Sequence, residues 1–404
     1  MIAILIEKQW RDNMDVVAKY YVETDLPIKE AAGAIAAEQS TGTWTEVSTL
    51  KEGDPAHLLD ARVLKAEGNN VEIEYPVELF EPGNIPQYLS VIAGNLFGLG
   101  ALKNVRLQDV DYPEKLLRAH SGPRYGIQEA RQILGVQDRP LVGTIIKPKV
   151  GLNPTETAQV AYEAALGGLD LIKDDETLTN QSFCPIEERL VMVMNKLDMA
   201  EAETGQKVFY AVNVTTGAAH IVERAERMKE LGANMVMVDV LTAGFDALQE
   251  LAANIDLPIH VHRTMHGAIT RNRRHGISML AISKLVRMAG GTNLHTGSYK
   301  GKMDSDTTEN DQNRDALKNE WFGLKSVFPV ASGGLSPLNV APNVVGYGMD
   351  CIVQAGGGVH GHPGGTVGGA KAMRQAVDAA MEGISIEEYS LNHPELKQAI
   401  EKWG

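Results

Sequence analysis

From the N-terminus to about Pro123 the hydrophobic and polar positions change period repeatedly. The run PIKEAAGAIAAEQ has helical spacing, whereas ARVLKAEGNNVEIEYPV alternates and breaks at GNN, which predicts a β-hairpin. A second helix-like run, NIPQYLSVIAGNLFGL, follows. Mixed signals of this kind predict an α+β domain.

Beyond about Pro140 the pattern becomes regular. Eight short apolar runs, LVGTIIKPK, GLDLIKDDE, VFYAVNV, NMVMVDV, PIHVHR, TNLHTG, VFPVASGG and CIVQAGGG, alternate with amphipathic segments at about the spacing of one βα unit. In GAAHIVERAERMKELGA, Ile221, Val222, Ala225, Met228 and Leu231 recur at helical spacing and leave Glu223, Arg224, Arg227 and Glu230 outward. Asn153-Pro154 is a good helix start, and Gly167 and Gly168 can end that helix. The expectation is an α/β chain: an α+β N-terminal domain over 1–122, then a (β/α)8 TIM barrel over 123–404 that carries the catalysis. One polar, acidic stretch, GKMDSDTTENDQNRDALKNEW, predicts a surface loop leading into a helix.

Composition narrows the function classes. The 404 residues are 44% hydrophobic and 22% charged, ordinary for a soluble globular enzyme with a sizeable core. A net charge of −14 argues against a nucleic-acid partner, which requires a basic footprint. Cys184 and Cys351 form no spaced pair and are expected as buried thiols. No apolar run approaches the roughly 20 residues that span a bilayer, and the opening MIAILIEKQW is too short an apolar stretch for a signal peptide. The expectation is a cytoplasmic protein with no membrane partner.

In a (β/α)8 barrel the active site lies at the C-terminal ends of the strands, and polar residues collect there at nearly every predicted strand. The first ends in Lys147 and Lys149, the second in Lys173-Asp174-Asp175-Glu176, the third and fourth in Asn213 and Asp239. His260, His262, Arg263 and His266 close the fifth, and His295 the sixth. The seventh and eighth run into Ser332-Gly333-Gly334 and Gly356-Gly357-Gly358, where backbone N–H groups can cradle a phosphate. Arg263 and His295 can hold a second phosphate across the mouth. Alternation puts Lys173 and Asp175 on one face with Glu176 at the strand end, and carboxylates are hard donors suited to Mg²⁺. The lysine must then either counter-charge the carboxylates or be modified to an anion; the plain alternative is a charged turn with a local ion pair. Gly301-Lys302 lies on a segment that suits a lid, though surface loops rich in lysine are common.

Taken in order, these residues resemble the RuBisCO large-subunit family across almost the whole chain. TIIKPKVG is similar to its first-strand motif, which implies that Lys147 helps proton transfer during enolisation with the substrate-binding Lys149 beside it. GGLDLIKDDE resembles the activation motif, which implies that Lys173 takes up CO₂ as a carbamate and binds Mg²⁺ with Asp175 and Glu176. That carbamate would also take the proton from C3 of ribulose-1,5-bisphosphate. HVHRTMHGA and LHTG imply catalytic help from His262 and phosphate binding by Arg263 and His295. Lys302 matches the lid lysine that stabilises the new carboxylate, and Ser332, Gly334, Gly356 and Gly357 match the remaining substrate contacts. AAEQSTGTW and AGNLFG resemble segments whose Glu38, Thr43, Trp44 and Asn95 complete the site of a neighbouring subunit, which implies an obligate homodimer or an oligomer of dimers.

Within the family the resemblance is to archaeal-like form III or a close relative, with some features of the RuBisCO-like proteins. Met303, Asp304 and Ser305 replace the commoner Leu-Glu-Gly of the lid, and Ile145 stands where plant-type enzymes have Thr. The implied activity is Mg²⁺-dependent enolisation of ribulose-1,5-bisphosphate, addition of CO₂, and cleavage to two 3-phosphoglycerates, with oxygenation as a side reaction. Two rival expectations remain. One is an enolase or isomerase of the same fold acting on a methylthio-sugar phosphate without carboxylation; the other is a non-catalytic phosphosugar-binding protein.

Overall fold

The computed structural model describes residues 15–43, 45, 47–301 and 307–404. The chain forms two compact units: Met1–Ser121 with Met265–Ala289 and Trp321–Leu324, and Gly122–Thr264 with Gly290–Glu320 and Lys325–Gly404.

The first unit is built on a sheet of β1 (Val16–Glu23), β2 (Arg62–Glu67), β3 (Asn70–Tyr75) and β4 (Asn104–Asp111), in the order β4-β1-β3-β2 with every neighbour antiparallel. β2 and β3 form the hairpin that GNN predicts. Along β1, Val16, Ala18, Tyr20 and Val22 are buried while the residues between them are half-exposed, the alternation of a sheet with one covered face. The Tyr20 hydroxyl donates to the Ile92 carbonyl at 2.7 Å, which ties helix Ile85–Ala93 to that face. The later segment joins the sheet edge through β10 (Gly276–Ile277), parallel to β4. Lys284, on the helix Met279–Ala289, reaches Asp109 at 2.6 Å and the Val110 carbonyl at 2.8 Å.

The second unit is a closed barrel of eight parallel strands: β5 (Leu141–Ile145), β6 (Leu171–Lys173), β7 (Phe209–Asn213), β8 (Met235–Asp239), β9 (Ile259–His262), β11 (Asn293–Gly297), β12 (Phe328–Ala331) and β13 (Ile352–Gln354). Each pairs with its neighbours in chain order, and β13 closes on β5. The eight apolar runs are therefore the eight barrel strands. β7, β8 and β11 are buried at every position, as parallel strands covered on both faces must be.

Side chains fill the barrel. Leu141, Leu171, Phe209, Met235, Phe328 and Ile352 pack with Ile127, Ala130 and Leu134 of the helix Ile127–Leu134 in one apolar cluster. Arg131 on that helix is buried, and its guanidinium donates to the carbonyls of Val136, Arg139 and Met349 and to Asp350. The helix Pro154–Leu166 carries the expected Asn153 cap, with Asn153 accepting from the Glu156 N–H at 3.0 Å. On Ala218–Glu230, Ile221, Ala225 and Met228 are buried, whereas Arg224 is half-buried and donates to the Thr215 carbonyl instead of facing outward.

The helix Gly365–Glu382 lies so close to the helix Gly357–His360 that a Cβ at Gly369 would sit 1.9 Å from the Val359 carbonyl oxygen. Gly369→Ala is expected to cost at least about 1–3 kcal/mol through overpacking. Gly33, inside the helix Ile28–Glu38 with open space around it, is the contrast: its change to Ala should stabilise by about 0.5–1 kcal/mol. Urea-unfolding midpoints of the two variants check both signs.

Candidate active site

Lys173 is the last residue of β6 and is fully buried. Its Nζ donates to the Asp174 carbonyl at 2.7 Å, touches Met237 Sδ at 3.6 Å and lies 3.7 Å from Glu176 Oε2. Burial pushes this lysine below its ordinary pKa, against the pull of Glu176, Asp175, Asp239 and Asp174. Lys147, just beyond β5 and joined to Pro148 by a cis peptide bond, donates to Asp175 Oδ2 at 2.8 Å. Burial opposes ionisation of Asp175, but the hydrogen bonds from Lys147 and Thr177 outweigh it and hold the carboxyl below its usual value. Glu176 is held down in the same way, with His262 and Lys173 outweighing its burial. Lys149 is exposed two residues beyond Lys147.

Alternation along the strand turns Asp174 the other way, into a fully buried pocket of its own. Its carboxylate accepts from the Tyr210 hydroxyl at 2.5 Å, the Arg189 guanidinium at 3.0 Å and the Asn213 N–H at 2.9 Å. Arg189 also donates to the carbonyls of Cys184 and Thr179, so the pair sits in a satisfied network. No spacing in the sequence singled out Arg189 or Tyr210, which belong to a helix and to the strand β7. Cys184 and Cys351 are buried free thiols, and burial pushes Cys351 up to about 12.

Histidines line the opposite wall. His262 Nδ1 lies 3.2 Å from Asp239 Oδ1, and its Nε2 lies 3.8 Å from Glu176 Oε2. His260 and His295 meet through their Nε2 atoms at 2.9 Å, and His295 Nδ1 reaches Ser332 Oγ at 2.7 Å. Burial pushes all three imidazoles below the ordinary histidine value. Arg263, whose guanidinium would lie 3.4 Å from a Cβ at Gly297, is pulled by burial to about 10 and stays charged at neutral pH.

The two glycine turns come together beside Lys147. A Cβ on Gly356 would lie 3.2 Å from Lys147 Cε, and one on Gly358 would lie 2.3 Å from the Leu335 carbonyl oxygen. Gly333 and Gly334 have φ of 113° and 74°, a left-handed region that a side chain disfavours. His360, overlooked in the sequence, clamps this corner. Its Nε2 lies 3.0 Å from both the Ile145 carbonyl and Thr144 Oγ1, and Thr144 gives its own proton to the Ala355 carbonyl at 2.7 Å. Both neighbours must accept, so Nε2 carries the imidazole proton and Nδ1 accepts from Thr366 at 3.2 Å.

Glu38, Thr43 and Asn95 belong to the first unit. Glu38 is half-buried at the end of the helix Ile28–Glu38, while Thr43 and Asn95 are exposed. A Cβ on Gly94 would lie 3.5 Å from Gln39 Oε1, so the segments bearing Glu38 and Asn95 approach each other. Trp44 and Lys302 lie outside the described residues. Among the described residues no three His, Cys, Asp or Glu side chains form a metal-binding group. Asp175 and Glu176 nonetheless flank Lys173 with hard oxygen donors that fit Mg²⁺.

Removing Arg189 would leave Asp174 charged and buried. Arg189→Leu is therefore expected to cost about 3–5 kcal/mol, read from denaturant unfolding. A pH dependence follows from His360. Burial, with the Lys147 charge adding, lowers its pKa to about 4, against about 6.5 when unfolded. Between those values the unfolded chain binds more protons, so this contribution to stability is complete above about pH 6.5 and is lost as pH falls toward 4. The drop in unfolding midpoint between pH 7 and pH 5 should be smaller in His360→Gln.

Residues 126–403 match the ribulose bisphosphate carboxylase large chain catalytic domain, and residues 5–116 match the N-terminal domain of the same large chain. The chain is 43% identical to a ribulose bisphosphate carboxylase of Methanosarcina mazei, over 96% of each chain. It is 44% identical to that of Pyrococcus furiosus, over 96% of this chain and 94% of the other. The structure of an octameric Rubisco from Pyrococcus horikoshii, in complex with sulfate, superposes with a TM-score of 0.91 at 44% identity, covering 97% and 93% of the two chains. A dimeric archaeal Rubisco from Hyperthermus butylicus gives 0.87 at 43% identity, covering 97% and 96%. With both domain families matched in order and curated relatives aligned over nearly their whole length, this chain belongs to the ribulose bisphosphate carboxylase large-chain family, a family of lyases, and is of its archaeal type.

Proposed function

We propose that the chain is a ribulose-1,5-bisphosphate carboxylase that enolises its substrate, adds CO₂ at C2, and hydrates and cleaves the product to two 3-phosphoglycerates. The observation that carries this is a buried lysine, lowered in pKa, between two ionised carboxylates at the C-terminal end of the second barrel strand. A neutral amine is the form that attacks CO₂: the Nζ lone pair bonds to carbon, one proton leaves, and Lys173 becomes an anionic carbamate. That conversion supplies an oxygen ligand beside Asp175 and Glu176. Mg²⁺ held there would polarise the substrate carbonyl and stabilise charge that develops on oxygen during the reaction.

The other residues divide the remaining work. The Lys173 carbamate takes the proton from C3, and Lys147, in contact with Asp175, assists proton transfer during enolisation. His262, oriented by Asp239, serves the later proton movements. Arg263 and His295 bind one phosphate, while Ser332, Gly334, Gly356 and Gly357 bind the other region of the substrate with Lys149 nearby. Lys302 stabilises the carboxylate formed from CO₂. The enediolate is open to O₂ as well, so oxygenation accompanies carboxylation. Similar proteins are dimeric or octameric, and we read this chain as a homodimer or an assembly of dimers in which Glu38, Thr43, Trp44 and Asn95 serve a neighbouring subunit's site.

Fixation of labelled bicarbonate into acid-stable product tests the proposal. With ribulose-1,5-bisphosphate, after preincubation with CO₂ and Mg²⁺, label should appear in 3-phosphoglycerate. It should fall by about 10²–10³-fold or more in Lys173→Ala and Lys302→Ala, and chelation of Mg²⁺ should abolish it reversibly. Absence of label, together with Mg²⁺-dependent exchange of a substrate C–H proton, would mean that the site stops at the enol.

A further inference from the structure

The turn that follows β13 has little of its own to hold it in place. Residues 356–364 include five glycines, Gly356, Gly357, Gly358, Gly361 and Gly364, and glycine loses more conformational freedom on folding than any other residue. Inside the turn, the N–H groups of Val359 and His360 donate to the Gly356 carbonyl at 3.0 Å, and the Gly361 N–H donates to the Gly357 carbonyl at 2.9 Å. Those bonds close the turn on itself and leave its position in the barrel to a few side chains. His362 faces away: its Nε2 lies 2.8 Å from the Glu395 carbonyl on the helix Pro394–Trp403, and its Nδ1 accepts from the Gly364 N–H at 2.9 Å. His360 is the side chain of this segment that bonds to β5.

Two attachments to β5 bracket the glycines. Before them, the Ala355 N–H donates to the Gly143 carbonyl at 3.0 Å, and the Thr144 hydroxyl donates to the Ala355 carbonyl at 2.7 Å. After them, His360 Nε2 donates to Thr144 Oγ1 and to the Ile145 carbonyl, each at 3.0 Å. Both attachments therefore use the stretch of β5 that leads directly into Lys147. Between them the Lys147 stem lies on the turn: a Cβ on Gly356 would sit 3.2 Å from Lys147 Cε and 3.8 Å from Ile145 Cδ1. A Cβ on Gly357 would meet nothing within 4 Å, so Gly357 borders open space.

We propose that His360 is a positioning residue for the reaction: the proton that its Nε2 donates to β5 sets the glycine turn against Lys147 and holds Gly356 and Gly357 in register with that side chain. This rests on the reading of Gly356 and Gly357 as substrate contacts and of Lys147 as the lysine that assists enolisation. His360 acts through the turn. Thr366, whose hydroxyl reaches His360 Nδ1 at 3.2 Å from the helix Gly365–Glu382, fixes the ring from behind.

Two measurements decide it. The first is a double-mutant cycle on the dissociation constant of ribulose-1,5-bisphosphate, measured without CO₂ or Mg²⁺ so that no turnover occurs, and at a temperature where every variant is folded. His360→Leu keeps the bulk, loses the N–H and should weaken binding about tenfold. The fold has room for a methyl group at Gly357, so Gly357→Ala reads the occupant of the turn. It should weaken binding about tenfold in the native background, but less than about twofold further once His360 is Leu. His360→Gln, whose amide can donate from the place of Nε2, should return the affinity to within about twofold of native. Losses that multiply to about a hundredfold in the double variant overturn the proposal, as does an equal loss in the Leu and Gln variants. The second measurement is the crystal structure of His360→Leu. The turn should stand about 1 Å or more further from β5 and Lys147, a misplacement large enough to matter for catalysis; an unmoved turn overturns the proposal. No effect of Gly357→Ala in the native background overturns instead the reading of Gly357 as a substrate contact, and the variant structure still decides whether His360 holds the turn.

Discussion

The mouth of the barrel depends on the burial of one amine. A lysine with no exposed surface cannot stay charged without compensation, because removing an ion from water costs several kcal/mol even after relaxation. Lys173 is caught between that cost and the attraction of nearby carboxylates, and burial is the larger influence. The same arrangement that makes the ammonium form expensive leaves a nucleophile between two oxygen donors. Converting the amine to an anion would place a third negative group beside Asp175 and Glu176, and a divalent cation would be needed to hold the three together.

Such a balance needs a rigid frame, and the frame is built in two layers. Behind the strand, Asp174 is neutralised by Arg189 and held by the Tyr210 hydroxyl and the Asn213 N–H, so the strand end cannot rotate without exposing an unpaired buried charge. In front, Lys147 grips Asp175 from the neighbouring strand, and the glycine turn at 356–358 closes over the Lys147 stem. His360 then fastens that turn to β5 through two acceptors. Each polar group therefore answers a neighbour on another element of the barrel. This is how parallel strands of a closed barrel bring side chains from distant parts of the chain to one rim.

Much of this was legible in the sequence, for a physical reason. Strand and helix periods are local: the apolar runs that became β5 to β9 and β11 to β13 are each a few residues long, and burial on both faces leaves an unbroken hydrophobic trace. Motifs such as KDDE and HVHR are local too, since alternation along a strand already says which neighbours share a face. His260 and His262 are alternate residues of one strand and share a face in this way, and both rings pack against His295.

What the sequence determined, then, was the set of elements, their order, and the chemistry carried at each strand end. What only the tertiary structure decided was pairing. Arg189 looks like any charged residue of an amphipathic helix until the fold buries it against Asp174, 15 residues away. His360 meets the Ile145 carbonyl across 215 residues of chain, and His260 meets His295 across 35. Arg224, expected outward from its helical position, turns instead to cap the Thr215 carbonyl. The direction of a hydrogen bond, the tautomer of a buried imidazole and the pKa of a buried lysine depend on what stands within about 3 Å in space. No periodicity along the chain encodes that, because the contacts are made by barrel closure and not by sequence neighbourhood.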